Sequence, residues 1–209
     1  MRYYEFIQRG NLRYRSVRRL QEPTVEPVSV SQAKEHLRID ASFSDDDIYL
    51  QTLITAARVW VENAADRTLI RSQWQIKFDM FPSNDIELRR PPLMSDPVVV
   101  TYVPSNTGNY TPVAFTDFRT DRDSEPQVIR PQWNGSWPTA RGAENDVTIT
   151  YWAGYGESGD DVPAAARHTI LMLVAHWYTA REAVTPGGMN PVPMGVEALM
   201  GTINWGQYR

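Results

Sequence analysis

The chain has no cysteine among its 209 residues. That excludes disulfides, thiolate metal sites and cysteine nucleophiles. Long apolar runs are missing as well. None approaches the ~20 residues that span a bilayer, and the opening MRYYEFIQRG lacks the apolar stretch of a secretory signal. The expectation is a soluble protein kept inside a cell. Histidine is scarce, at 3. No G-x-x-x-x-G-K-[ST] loop, no G-x-G-x-x-G opening a helix and no G-x-S-x-G elbow occurs. The glycine-rich AGYGESG lacks the lysine and runs into Asp160 and Asp161, which repel phosphate, so it reads as a turn. Carboxylate pairs are plentiful and single out no chemistry.

What is present can build a core. Hydrophobic residues make up 42%, with 7 Trp, 10 Tyr and 6 Phe. The net charge of −4 gives no global pull toward nucleic acid or anionic membrane. Its distribution is uneven. Residues 1–20 hold six arginines (Arg2, Arg9, Arg13, Arg15, Arg18 and Arg19) against one acid, Glu5. A basic arm on an acidic body points to an acidic contact: nucleic acid, a partner's acidic face, or a neighbouring copy. A solvated terminus is the plain alternative.

QEPTVEPV, with two prolines, reads as an extended linker. Ser29 and Gln32 have capping-box spacing, which predicts a short helix near 30–38. Ser44 and Asp47 repeat that spacing before a longer helix near 45–67. Asp45, Asp46 and Asp47 invite a metal reading, but negative charge at a helix start is the simpler account. Period-two alternation then takes over. Trp74, Ile76, Phe78 and Met80 share one face of a strand. Further strands are expected at DIELR, PVVVTYV, Val113–Phe118, Gln127–Ile129 and DVTITYW. A third helix is expected over 162–184 and a short fourth over 194–203. The fold class is therefore α+β: a small helical bundle with an inserted antiparallel β-rich segment. The organisation follows: basic arm and linker 1–28, helical core 29–69, β-rich insertion 70–156, second helical part 157–188, and C-terminal segment 189–209.

LMLVAHWYTARE places His176 in one of the most apolar stretches. Ile170, Leu173, Val174 and Trp177 mark one face of that helix; His168, Met172 and His176 mark the other. Histidines sharing a metal on one helix are usually four apart. These are eight apart, so their Cα atoms lie about 12 Å from each other. His36 sits on a separate helix with no supporting spacing. No metal site and no cofactor is expected. A histidine paired with a distant nucleophile stays open, because such partners need not be adjacent in sequence. A helix apolar almost all round needs cover on more than one side. Met172, His176 and Tyr178 are accordingly candidates for subunit packing, with burial in the chain's own core as the equal alternative.

The order of segments carries a resemblance. EPVSVSQAKEHLRID, DDDIYLQTLITAARVWVE, LIRSQWQIKFDMFP, IELRRPPL, VTITYWAGYG, VPAAARHTILMLVAHWYTAREAV and MGVEALM together resemble the head–tail connector (head-completion adaptor) family of tailed bacteriophages, prophages and gene transfer agents, across residues 26–203. The resemblance implies a structural, non-enzymatic protein. It implies a ring, commonly a dodecamer, that sits under the portal protein at the virion neck. Such a ring extends the DNA channel without binding DNA specifically and offers a platform to the downstream neck or tail-completion protein. Assembly in a bacterial host cytoplasm is implied, and no membrane is. It implies portal docking by the C-terminal segment, with Met194, Val196, Leu199, Met200, Ile203 and Trp205 as candidate anchors. The arm departs from usual members, which begin near EPV. Its arginines would form a belt that grips protein rather than DNA, since each neutralised phosphate adds salt-dependent affinity. A nucleic-acid-binding protein using that arm is the competing reading, and a small hydrolase using His168 or His176 is a third.

Overall fold

The computed structural model describes residues 14–105, 110–180 and 194–203. These divide into two compact units. One, the β unit, takes residues up to Glu22 together with Arg71–Gly154. The other, the helical unit, takes Pro23–Ile70 and the residues from Tyr155 onward.

The helical unit contains α1 (Val30–Leu37), α2 (Asp47–Ala65), α3 (Ala164–Thr179) and α4 (Met194–Ile203). The capping box at the start of α1 forms as its spacing predicts. The Gln32 N–H donates to Ser29 Oγ at 3.1 Å, and the Ser29 N–H donates to Gln32 Oε1 at 2.9 Å. The second predicted box does not form. α2 starts at Asp47 with Asp46 as its N-cap and no side-chain cap bond. α1 and α2 both end on a residue in the left-handed conformation, Arg38 and Asp66. Ile54, Ala57 and Val61 of α2 meet Ile170, Leu173 and Val174 of α3 in one buried core, which Val196, Met200 and Ile203 of α4 complete. At about 25 cal/mol per Å² of apolar surface, such burial is the main stabilising term.

Between α3 and the last strand, AGYGESGDD folds as the turn that its composition suggests. Gly154 has φ 141. Gly159 opens a single 3-10 turn, Gly159–Asp161, and a Cβ on it would lie 2.6 Å from the Pro27 carbonyl oxygen. Only glycine lets the linker pass that closely.

The β unit has two antiparallel sheets. One has the order β1 (Ser16–Gln21), β2 (Ser72–Phe78), β8 (Val147–Ala153), β4 (Val99–Tyr102), β5 (Val113–Phe115). The other has the order β3 (Ile86–Glu87), β7 (Val128–Pro131), β6 (Phe118–Asp121). β2 and β8 alternate buried and half-buried residues along their length, with Trp74 opposite Tyr151 and Ile76 opposite Ile149. Their inner faces share a core with Ile86, Val100 and Ile129. Met80, expected on that face, is 63% exposed because β2 ends at Phe78.

Ser16–Gln21, which the sequence assigns to the arm, is the edge strand of the larger sheet. Arg19 stands opposite Trp74 in register, and its guanidinium lies 4.8 Å from the indole centroid. The stem and planar head of an arginine fill an inward position here, a role that counting apolar residues does not detect.

Candidate assembly surfaces

The expected site residues fall on four places, and the first is the start of α2. Asp46, the N-cap residue there, makes no side-chain cap bond. The Tyr178 hydroxyl of α3 donates to the Asp46 carboxylate, and the Lys34 ammonium of α1 lies 2.6 Å from Asp47. Acidic side chains thus clamp α1 and α3 to the start of α2. Tyr178, a candidate for subunit packing, is engaged within its own unit.

The second place is α3. Met172 is half-buried, with its methyl group 3.0 Å from where a Cβ on Gly195 of α4 would be. His176 is half-buried in the last turn of α3. His168 points elsewhere. Its ring meets that of His36 from α1 edge-on, centroids 6.0 Å apart, so the fold joins two histidines that spacing could not connect. Glu35 and Arg167 line the same cavity of about 400 Å³. Among the described residues, no group of three or more His, Asp or Glu side chains is placed to hold a metal.

The third is α4. Val196, Met200 and Ile203 are buried in the helical unit's core, and the Arg67 Nε–H donates to the Ile203 carbonyl at 2.8 Å. These three side chains pack α4 into the core of its own unit. Leu199 is half-buried. The Met194 side chain and Trp205 lie outside the described residues, as do Arg2, Arg9 and Arg13.

The fourth is the basic strand. Arg15 Nε–H donates to Asp79 at 2.7 Å, and Arg19 Nη1–H donates to Glu22 at 2.8 Å. The Arg15 hydrogen bond holds the Asp79 carboxyl below the usual carboxylate range. Two arginines of the expected belt are therefore already neutralised within the unit.

Sequence reasoning missed a buried ionic knot inside α2. Arg58 Nε–H donates to Glu26 at 2.8 Å and Arg58 Nη1–H to Glu62 at 3.0 Å, while Glu62 accepts the Leu69 N–H at 2.9 Å. Arg58 is 4% and Glu62 2% exposed. The signal was available: Arg58 and Glu62 are four apart on the stripe side of an apolar helix. With Arg58 and Glu62 turned inward, α2 beyond its first residue shows an uncharged outer face. An open groove of about 690 Å³ runs along it, lined by Thr52, Ala56, Val59, Trp60 and Asn63 of α2 with Trp177 of α3.

Residues 27–89 match the family described as phage gp6-like head-tail connector protein. The resemblance read from the sequence is borne out. No curated protein sequence matches the chain. Among solved structures, a chain in the neck of an empty GTA particle computed with C6 symmetry is similar at TM-score 0.74 and 18% identity, covering 90% of this chain and 95% of that one. A chain of the virion of a native gene transfer agent particle is similar at TM-score 0.71 and 21% identity, covering 90% and 94%. A chain in the neck of a native GTA particle computed with C12 symmetry gives 0.62 and 19%, again over 90% and 94%. At these identities the likeness is one of fold. It extends over both units, whereas the family match covers the end of the linker, α1, α2 and the strands β2 and β3 of the β unit.

Proposed function

We propose that the chain is a structural head–tail adaptor of the virion neck. It forms a ring beneath the portal protein, extends the DNA channel, and joins the head to the neck or tail. The observation that carries this reading is a coincidence of two likenesses. The connector family matches residues 27–89, and the same fold over 90% of the chain is that of neck chains in gene transfer agent particles. A twelvefold ring is in keeping with the C12 symmetry of one of those necks. The role is one of positioning and sealing rather than catalysis.

In this reading the C-terminal segment docks on the portal through Leu199 and through Met194 and Trp205, with α4 remaining packed. The arm reading is narrowed: Arg15 and Arg19 stabilise the β unit, and any belt is built by Arg2, Arg9, Arg13 and Arg18. DNA passes without specific capture. The test is electron microscopy of particles assembled in cells lacking this chain. Filled heads without tails are expected; normal tailed particles would overturn the proposal.

A further inference from the structure

From Ile48 to Ala64, every exposed position of α2 is uncharged: Ile48, Gln51, Thr52, Ala56, Val59, Asn63 and Ala64. The charges in that stretch, Arg58 and Glu62, are buried. A helix facing water ordinarily carries its charges outward. Depletion of charge with aromatics at the centre is instead the composition of an interface core. Trp60 and Trp177 stand in this groove, and Val59 is 40% exposed beside them.

The β unit offers the matching feature. Trp133 is 82% exposed. It sits second in a tight turn closed by the Gly135 N–H donating to the Gln132 carbonyl at 2.8 Å, with Asn134 third at φ 62. Both stems are fixed. The Gln132 side-chain amide donates to the Phe118 carbonyl at 3.2 Å. Trp137 stacks on Phe81 at 5.0 Å and donates its indole N–H to the Asn84 carbonyl at 3.2 Å. One tryptophan of QWNGSW is tucked in; the other is held out on a rigid turn. Residues 131–140, PQWNGSWPTA, contain no charge.

We infer that the Trp133 turn of one copy seats in the α2 groove of the next copy. This rests on the ring reading above and names its contact. A knob and a groove on different parts of one chain make a head-to-tail contact, the kind that closes into a ring. An indole brings large contact area at low entropic cost, and such side chains dominate interface energetics. Both surfaces are neutral, so neither loses charge hydration on contact.

The absence of native cysteine makes the test clean. The chain carrying Gln51→Cys and Ser136→Cys is mixed with the cognate portal and treated with a short bismaleimide. A ladder of covalent oligomers is expected from the double variant and none from either single variant. Trp133→Ala and Val59→Arg, both at exposed positions, should weaken ring formation at least tenfold while the melting temperature is unchanged. Rings of the double variant with no ladder, a cross-link confined to single chains, or Trp133→Ala rings that form normally would overturn the inference and leave the adaptor reading standing. So would a Trp133→Ala ring that is intact but no longer binds portal or neck, since the occupant would then be another protein. Failure of wild-type protein to form a ring even with portal would remove the adaptor reading itself, and this contact with it.

Discussion

Arg58 and Asp146 show how much single charges decide here. Arg58 is buried between Glu26 and Glu62, and removing it strands two carboxylates away from water. Arg58→Ala should therefore cost about 3–5 kcal/mol, whereas Arg58→Met together with Glu62→Leu and Glu26→Gln, which leaves no unpaired carboxylate, should cost far less. Chemical denaturation of both variants reads the difference. Asp146 accepts Arg141 Nη2–H at 2.7 Å and the Ala143 N–H at 2.7 Å, while its residue is 4% exposed. The Arg141 hydrogen bond, foremost, holds its carboxyl below the ordinary carboxylate range. A depressed folded-state value means that the stabilisation is complete above the unfolded value, about 3.9, and is lost as pH falls through the folded one. Acid unfolding of the β unit should thus be shallower for Asp146→Asn, which should also be about 1–3 kcal/mol less stable at pH 7. An acid limb identical to wild type would contradict this.

Elements with a pure apolar period were legible in the sequence, and elements that use charge were not. α1, α2 and α4, and the inner faces of β2 and β8, follow from period and capping signals alone. β1 escaped because its inward position opposite Trp74 is an arginine, and SVRRLQ reads as a charged arm. The start of α2 was misplaced in its capping chemistry because Asp46 and Asp47 bind Tyr178 and Lys34 instead of the helix's own N–H groups. The pairing of His36 with His168 is tertiary and has no trace in spacing. The anchors expected in α4 split by helix face: the inward stripe Val196, Met200 and Ile203 fills a core that sequence could not show to be open. The glycine turn permits an element-level prediction. Gly159→Ala forces the linker away from the Pro27 carbonyl and should cost about 1–3 kcal/mol without changing secondary structure by circular dichroism. A variant as stable as wild type would show that the linker moves freely. The arm also needs a different truncation than its composition suggests. Deleting residues 1–21 removes an edge strand along with the arginines, so a test of the belt stops the truncation at Arg13 and replaces Arg18 by substitution.

At the scale of the whole molecule, the chain combines a helical unit closed by buried ion pairs with a β unit that presents an exposed tryptophan. Each has surface that makes sense when covered. The DNA-binding alternative predicts steep salt dependence, yet Arg15 and Arg19 are already paired inside the β unit. The adaptor account expects weak, salt-quenched DNA retention, unaffected by Arg19→Ala, in a filter-binding assay.

The most direct measurement of the central claim is light scattering with electron microscopy of the purified protein, alone and mixed with its cognate portal. The account predicts a closed ring seated on the portal. A chain that stays monomeric and ignores the portal would contradict it.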